Sequence, residues 1–474
     1  MNAPKRTKIV ATLGPATSSR ETIKQLILEG VNVCRINFSH AVHQDLIETI
    51  KTIRELDHEL NTHTGILGDL QGPKIRIGNL YSEPIMLEQG HQMTFTTKPY
   101  LGDIDKVHIN YESFPKDVEI GDKILVDDGK LVFKVVESNG MDEALLEVVY
   151  GGPLHSRKGV NLPDTKISMP SLTEKDLKDL EFALEQNIHW IGLSFVREAK
   201  DIIELREIIT GKEKDSRIIA KIEKPEAIKN LDDIIEVTDA VMVARGDLGV
   251  EVPLEEVPLL QKEIVLKCQQ MAKPVIIATQ MMESMIDSIT PSRAEVNDVA
   301  NAVMDGADAV MLSGETSVGE HPVDVIKVMT RIIKQTETFD GIYNADFQPL
   351  INTKRYISDN ICFGALDLAE KVSAKAIVTM TFSGYTALKV SSFRPKAGVY
   401  VFTGNRRLLK MMSLVWGTRT FFYDKFVSTD ETIEDIKAKL RATGQLEEDD
   451  LVVNIASMPI KSKGMSNMIR LSYI

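Results

Sequence analysis

Cysteine is scarce in this chain, with 3 residues in 474. Cys34, Cys268 and Cys362 are odd in number, far apart and set among apolar neighbours. A disulfide framework or a cysteine-based metal cluster needs more thiols at closer spacing, so neither is expected. The pattern predicts buried free thiols and a cytoplasmic location, where thiols stay reduced.

Long apolar runs are also missing. No stretch approaches the roughly 20 apolar residues that span a bilayer. The N-terminal sequence MNAPKRTKIVATLG is basic, but it has neither the apolar core nor the small-residue cleavage site of a signal peptide. We therefore expect no export and no membrane partner.

Positive charge is not in excess, because the formal net charge is −13. This balance argues against nucleic acid as a partner, while a local basic pocket can still bind a small anionic substrate. Charged residues make up 26% and hydrophobic residues 43% of the chain, as in a soluble globular protein. Its 474 residues predict two to four domains.

One stretch, residues 217–251, contains two predicted strands that end in charged residues suited to bind a ligand. The first strand ends in Lys221 and Glu223, which share a face because side chains alternate along a strand. The second, Ala240–Ala244, continues into RGDLG, where glycines on both sides of Asp247 let the backbone approach a ligand closely. Two carboxylates and a lysine at neighbouring strand ends indicate a metal and an anionic group bound together. The alternative is a surface salt bridge beside an ordinary turn.

Eight short apolar strands, each followed by a helix, account for most of the first 340 residues. Near-continuous apolar strands that alternate with amphipathic helices indicate a parallel sheet. Eight such units predict the α/β class and a closed (β/α)8 TIM barrel. The predicted strands are Lys8–Gly14, Val31–Phe38, Gly65–Leu70, Ile188–Val196, Arg217–Glu223, Ala240–Ala244, Pro274–Gln280 and Ala309–Ser313.

Capping residues mark several helix starts in the barrel region. Ser18 or Ser19 is expected to cap the first helix, while Thr173 and Ser292 each precede an acidic residue by three positions, as in a capping box. A long amphipathic helix is predicted over residues 253–272.

Helical periodicity disappears between residues 74 and 169. Short alternating runs such as KLVFKVVES and ALLEVVY, separated by turn residues, predict a small inserted β-barrel domain. The DDG at residues 127–129 predicts a hairpin turn. The last third of the chain alternates helix and strand again and predicts an open-sheet α/β domain. The predicted domains are 1–73 with 170–340 for the barrel, 74–169 for the insert and 341–474 for the C-terminal domain.

Polar residues occur at the carboxyl ends of the predicted barrel strands. Active sites of TIM barrels are built at that face, so the pattern predicts one active site there. These residues are Arg35, Asn37, Asp69, Lys221, Glu223, Asp247, Thr279, Ser313 and Glu315.

Eight motifs in order resemble the pyruvate kinase family over essentially the whole chain. They are TKIVATLGPAT, RINFSH, DLQGPKIRIG, KGVNLP, IAKIEKPEA, VMVARGDLGVE, ATQMMESMI and PSRAEVNDVANAVMDGADAVMLSGET. The family has a lid domain after the third barrel strand, which the β insert matches, and a C-terminal regulatory domain. The extra N-terminal domain of some members is not expected, since the first strand begins at Lys8.

The resemblance implies the last step of glycolysis, in which phosphoenolpyruvate gives its phosphoryl group to ADP, forming ATP and pyruvate. It implies Glu223 and Asp247 as ligands of magnesium or manganese. It implies Lys221 and Arg35 as residues that bind the phosphoryl group.

The resemblance also assigns the rest of the substrate site. The backbone at Ala244, Gly246 and Asp247 would bind the substrate carboxylate, and Thr279 would contact the substrate. The family-based candidates for the proton path to the enolate carbon are Thr279, Ser313 and Glu315. The implied nucleotide-binding residues are His40, Arg76, Lys158 and Asn161.

In the C-terminal domain, the family loop between a strand and a helix binds a phosphorylated allosteric effector. Here that loop supplies Thr381, Ser383, Gly384 and Thr386. Aromatic residues stand where members often have basic ones, so the effector's identity stays open, and the alternative is a plain helix cap. The resemblance further implies a homotetramer.

One departure concerns potassium. Many members read DTKGPE after the third strand and need potassium, whereas this chain reads DLQGPK, with Lys74 in place of the glutamate. An ammonium can supply the single positive charge of the ion, so activity is expected not to need potassium. The alternative is a solvated residue at the lid hinge. The residues of this monovalent-cation region are Asn37, Ser39, Asp69, Leu70 and Lys74.

Two other functions were weighed. An aldolase-type barrel with a Glu-Asp-magnesium site would explain KIE and GD, but it would explain neither the insert nor the C-terminal domain. A metabolite-binding regulator without catalysis would require a damaged catalytic set, and none is visible.

Overall fold

The chain folds into a closed barrel, an inserted β domain and a C-terminal α/β domain. The structure is a computed structural model that describes residues 5–39, 42–344, 347–349, 354–425, 427–458 and 465–474. In those ranges, none of the helices combines the length and the apolar composition that a membrane span requires. The prediction of an α/β protein with a TIM barrel, an inserted β domain and an open-sheet domain is confirmed, while the exact domain boundaries stay a prediction.

Eight parallel strands close the barrel, and the first strand pairs with both the second and the eighth. Their side chains alternate between the helix-covered outside and the filled interior, so nearly all are buried, as the apolar runs predicted. Most strands are shorter than predicted, since their polar carboxyl ends leave the sheet to form the rim. The strands are Lys8–Thr12, Val33–Asn37, Gly65–Asp69, Trp190–Leu193, Arg217–Ile222, Ala240–Ala244, Val275–Ala278 and Ala309–Leu312.

The predicted caps are present: Ser19 accepts a bond from the Thr22 amide, and Thr173 and Ser292 form capping boxes. The helix expected over residues 253–272 begins later, at Val257, because Pro258 fits only the first turn of a helix. The helices of the barrel region are Arg20–Glu29, His43–Leu60, Glu174–Glu185, Ala199–Gly211, Pro225–Lys229, Leu231–Val237, Arg245–Glu251, Val257–Gln270, Arg293–Asp305, Gly314–Ser317 and Pro322–Thr336, with 3-10 turns at Pro15–Thr17, Leu254–Glu256, Glu283–Ile286 and Asp340–Ile342.

The inserted domain is a curled six-stranded sheet beside a two-stranded sheet. The predicted hairpin turn at residues 127–129 is confirmed, with all three residues at positive φ. One short helix, Phe114–Asp117, was not predicted. The strands are Ile85–Leu87, Gln92–Thr96, Lys106–His108, Lys123–Val126, Leu131–Ser138, Glu143–Tyr150, Gly152–Leu154 and Val160–Asn161.

The C-terminal domain is a five-stranded sheet covered by helices. Its last strand, Met468–Tyr473, was not predicted, because it is a partly exposed edge strand without a continuous apolar run. The helices Arg406–Met411 and Thr429–Ala442 were also not predicted. The other elements are the strands Ala376–Met380, Gly398–Thr403, Thr418–Phe422 and Leu451–Ala456, the helices Tyr356–Lys371 and Tyr385–Ser392, and the 3-10 turn Met412–Leu414.

The C-terminal domain packs against the end of the barrel where the strands begin. Arg394 is buried there and donates to the Gly306 carbonyl (2.6 Å) and to Oδ2 of Asp308 (2.9 Å). Asp308 also accepts a bond from the Trp416 amide. Side chains of the barrel interior and of the C-terminal domain belong to one apolar cluster.

Candidate active site

Four of the predicted rim residues meet in one buried cluster at the carboxyl ends of the second, third and fifth strands. Arg35 donates through Nε to Oδ2 of Asp69 at 2.8 Å and through Nη1 to the Thr12 hydroxyl at 2.9 Å. Burial acts to raise the pKa of Asp69, but Lys221 and Arg35 outweigh it and lower that pKa below its ordinary value. The guanidinium is therefore fixed beside a charged carboxylate.

Lys221 lies between two carboxylates. Its Nζ is 3.0 Å from Oε1 of Glu223 and 3.4 Å from Oδ1 of Asp69, and the side chain is 11% exposed. Burial would lower the pKa of Lys221, but Asp69 and Glu223 raise it above its ordinary value. The site therefore keeps a charged ammonium in a place that water barely reaches, where a point charge acts strongly on a bound anion.

Ser194 completes this cluster and was missed from the sequence. The residue follows the fourth strand, accepts a bond from Nζ of Lys221 (2.7 Å) and donates to the Leu70 carbonyl (2.8 Å). A single serine at the end of an apolar strand gives no sequence signal of its own. Its hydroxyl links the lysine to the monovalent-cation region, which contains Leu70.

We expect Ser194→Ala to lower kcat about tenfold or more, because a hydrogen bond to a charged group contributes about 1.5–3 kcal/mol. Steady-state assays of Ser194→Ala measure the effect. The matched control is Ser216→Ala, since Ser216 is equally buried and donates to a backbone carbonyl at the opposite end of the barrel. Equal kcat values in the two variants would contradict the prediction.

Two acids follow neighbouring strands: Glu223 comes directly after the fifth strand, and Asp247 lies in the segment after the sixth. Oε2 of Glu223 accepts a bond from the Phe195 amide at 2.8 Å. Burial raises the pKa of Glu223, Lys221 acts to lower it, and the negative charge of Asp247 raises it further. A divalent cation would offset this repulsion. The described residues contain no group of three or more His, Cys, Asp or Glu that could hold a metal ion. Magnesium takes one or two carboxylates plus substrate oxygens and water, so the pair Glu223 and Asp247 suits that ion.

The RGDLG segment after the sixth strand belongs to a helix, Arg245–Glu251. Its Gly246 amide donates to Oγ1 of Thr279 at 2.7 Å. This amide, which the resemblance assigned to the substrate carboxylate, already has a partner in the structure.

Thr279 follows the seventh strand and has a positive φ of 69°. Its hydroxyl donates to the Ala278 carbonyl at 2.6 Å. Glu315 is buried and its carboxylate accepts bonds from the amides of Met282 (3.1 Å) and Ser313 (2.7 Å). Burial raises the pKa of Glu315. Glu315 and Ser313 thus brace the loop after Thr279 through the main chain.

The monovalent-cation region is only partly assembled. Oδ1 of Asn37 accepts a bond from the Ser39 amide at 3.1 Å. Asp69 is engaged by Arg35 and Lys221, as described above. Lys74 lines a small cavity of about 30 Å³ that it shares with Asp247 and residues of the inserted domain.

The predicted nucleotide residues are dispersed over the inserted domain. Arg76 donates to the Arg157 carbonyl at 3.0 Å, and Lys158 is 2.8 Å from Asp127. Asn161 donates to Glu251 at 2.7 Å, which joins the inserted domain to the barrel. His40 lies outside the described residues.

The predicted effector loop lines a cavity of about 280 Å³ in the C-terminal domain. The Thr381 hydroxyl accepts a bond from the Gly384 amide (3.0 Å), and the Thr386 and Ser466 hydroxyls are 2.8 Å apart. The Ser383 carbonyl accepts a bond from Arg217 of the barrel at 2.8 Å. The sequence did not reveal two cationic residues on this cavity, Arg355 and Lys425.

The cluster of basic and acidic side chains lies at the carboxyl-end rim of a TIM barrel, where the active sites of enzymes with this fold are built. Residues 4–326 match the family model described as "Pyruvate kinase, barrel domain" and residues 359–472 match "Pyruvate kinase, alpha/beta domain". The chain belongs to the pyruvate kinase family, the phosphotransferases of glycolysis.

Similar proteins agree with this assignment over nearly the full length. The pyruvate kinase of Corynebacterium efficiens is 44% identical, with 98% of this chain and 97% of that one covered. The pyruvate kinase of Mycobacterium tuberculosis is 40% identical, with 99% and 98% covered. The solved pyruvate kinase structure from Cryptosporidium parvum has a TM-score of 0.92 at 34% identity and covers 99% of this chain and 96% of its own.

Proposed function

We propose that this rim is the site where the phosphoryl group of phosphoenolpyruvate passes to ADP. The observation that carries the proposal is the charged Lys221 ammonium, buried 3.0 Å from Glu223 and beside Arg35. Phosphoryl transfer needs positioning and neutralisation of charge more than covalent help from the protein. A lysine with a guanidinium on the same rim supplies both.

Each residue of the proposed site has a separate role. Lys221 neutralises the phosphoryl group in flight, and Arg35 holds its oxygens. Glu223 and Asp247 would hold the divalent cation, which when bound supplies positive charge to the phosphoryl oxygens. Thr279 contacts the substrate and lies on the proton path to the enolate carbon. Because a threonine is a poor acid, a chain of water molecules is needed to deliver the proton to Thr279.

The inserted domain acts as a lid in this proposal. Arg76, Lys158 and Asn161 belong to the inserted domain, and ADP would bind between this domain and the rim. Closure excludes water, which would otherwise hydrolyse the phosphoryl group. The contact between Asn161 and Glu251 supports a lid that closes on the barrel.

Pyruvate formation from phosphoenolpyruvate and ADP, coupled to oxidation of NADH by lactate dehydrogenase, tests the proposal. We expect magnesium-dependent turnover. A regulator without catalysis would give none, and an aldolase-type enzyme would form pyruvate from a longer acid without ADP. Assays with and without ADP therefore separate the three functions.

We further propose that potassium is not required, because Lys74 supplies the charge in its place. Lys74 is half-buried on the same cavity as Asp247, at the junction of barrel and lid. Rates are expected to be equal in potassium and in tetramethylammonium at constant ionic strength. The matched variant Lys74→Glu is expected to gain activation by potassium. Strong activation of the unaltered enzyme by potassium would contradict the proposal.

The cavity of the C-terminal domain is proposed to bind a phosphorylated effector. Arg355 and Lys425 provide positive charge there, and Thr381, Ser383, Gly384 and Thr386 form the loop. Calorimetry with sugar phosphates and AMP is expected to give binding heat that Arg355→Met and Ser383→Ala reduce. Absence of heat from every phosphate would favour a plain helix cap.

The remaining proposals concern assembly and location. A homotetramer in the cytoplasm fits the family and the three reduced thiols, all of which are buried. Light scattering of the purified protein measures the assembly directly.

A further inference from the structure

The loop after the seventh strand has a strained backbone. Thr279 and Gln280 are consecutive non-glycine residues with φ of 69° and 54°. A β-branched residue in the left-handed region is an outlier, and such a conformation persists only when its surroundings determine it. The contacts around this pair therefore decide where the Thr279 hydroxyl lies.

Arg245 provides the main contacts on one side of the loop. Its Nη2 donates to the Thr279 carbonyl at 2.8 Å and contacts Sδ of Met281 at 2.9 Å. The next residue, Gly246, donates its amide to the Thr279 hydroxyl at 2.7 Å. The consecutive residues Arg245 and Gly246 thus bind Thr279 at both its carbonyl and its hydroxyl.

Asp298, on the helix Arg293–Asp305, fixes the guanidinium itself. Nη1 and Nη2 of Arg245 donate to its two carboxylate oxygens at 2.6 and 2.7 Å. This bidentate geometry fixes the orientation of the guanidinium plane as well as its position. Nη2 therefore reaches the Thr279 carbonyl from a fixed direction, and the side chain of Arg245 is only 13% exposed.

We propose that the Arg245–Asp298 pair positions Thr279 for proton delivery to the enolate carbon. Neither residue needs to touch the substrate, so both act as positioning residues. The inference rests on the proposed function, in which Thr279 lies on the proton path. It extends the site to Asp298, which lies on the helix Arg293–Asp305, 19 positions after Thr279 in the sequence.

The test variant is Asp298→Asn, which keeps the shape of the side chain and removes its charge. The readout is the exchange of the methyl protons of pyruvate with solvent deuterium, followed by NMR in the presence of magnesium. In that exchange a C–H bond at the methyl carbon breaks, the proton passes to solvent and a C–D bond forms, with no change at phosphorus. We expect exchange and kcat to fall about tenfold or more, with KM for phosphoenolpyruvate changed less than about twofold, because small misplacement of a reacting group is costly.

Asp239→Asn is the matched control. Asp239 is also partly buried and pairs with an arginine, Arg206, at the opposite end of the barrel. The exchange rate and kcat of Asp239→Asn are expected to match those of the unaltered enzyme. Equal exchange rates in Asp298→Asn and Asp239→Asn would overturn the positioning role.

Two further variants keep the outcomes distinguishable. Arg245→Lys keeps the positive charge but removes the planar guanidinium, so it is expected to reduce the exchange rate. This variant still tests the positioning role if Asp298→Asn fails to fold. Thr279→Ala tests the proposed function itself. If Thr279→Ala abolishes exchange while Asp298→Asn and Arg245→Lys do not change it, only the positioning role is wrong. If Thr279→Ala leaves exchange intact, Thr279 is not on the proton path and both are wrong.

Discussion

Lys221→Met is expected to lower kcat by about a thousandfold, the effect of removing a buried, preorganised charge that acts on the transition state. The ammonium is held in the charged state by Asp69 and Glu223, and Arg35 cannot move into its place because Asp69 and Thr12 hold the guanidinium. Steady-state kinetics with saturating phosphoenolpyruvate and ADP measure the loss. The decrease should appear in kcat rather than in KM for ADP, because Lys221 is proposed to act on the phosphoryl group in flight.

A second buried lysine provides the control for this prediction. Lys8 lies on the first barrel strand and donates to the Thr418 carbonyl at 2.9 Å, at the end of the barrel away from the rim. Lys8→Met removes another buried lysine side chain and is expected to keep kcat within a fewfold of the unaltered enzyme. A value for Lys221→Met above a tenth of that for Lys8→Met would contradict the catalytic role.

Arg394→Met is expected to destabilise the protein by about 3–5 kcal/mol, because removal of one partner leaves the other charge buried and uncompensated. Arg394 is 2% and Asp308 5% exposed, and their contact joins the C-terminal domain to the barrel. The midpoint of urea unfolding, followed by the fluorescence of Trp416 and Trp190, should fall accordingly. Activity below the midpoint is expected to persist, since the pair is far from the rim.

An exposed pair in the same region serves as the comparison. Lys396 and Asp340 are 2.7 Å apart but 66% and 77% exposed. Surface pairs contribute only about 0–1 kcal/mol, so Lys396→Met should hardly move the midpoint. Equal shifts of the midpoint in Arg394→Met and Lys396→Met would show that the buried Arg394–Asp308 pair contributes no more to stability than an exposed pair.

Local pattern was enough to predict the barrel and the centre of the site. The apolar strands followed by capped helices gave the architecture, and strand alternation placed Lys221 and Glu223 on one face, which the structure confirms at 3.0 Å. Such features depend on neighbours a few residues apart. The sequence therefore carries them directly.

The contacts that sequence reasoning missed connect distant parts of the chain. Ser194 meets Lys221 from 27 residues away, and Asn161 meets Glu251 from 90 residues away. A lone serine or asparagine has no periodic pattern, so nothing in its neighbourhood reveals such a partner. The left-handed backbone at Thr279 was hidden for a related reason, since a β-branched residue predicts extended structure there.

The shared apolar cluster has a consequence for how this protein can change. Interior barrel residues such as Leu67, Trp190 and Met242 pack in one continuous core with Phe393 and Val415 of the C-terminal domain. The C-terminal domain therefore shares its core with the barrel and is not a detachable module. A shortened chain ending near residue 340 would expose these apolar side chains to water, so removal of the C-terminal domain should also destabilise the barrel.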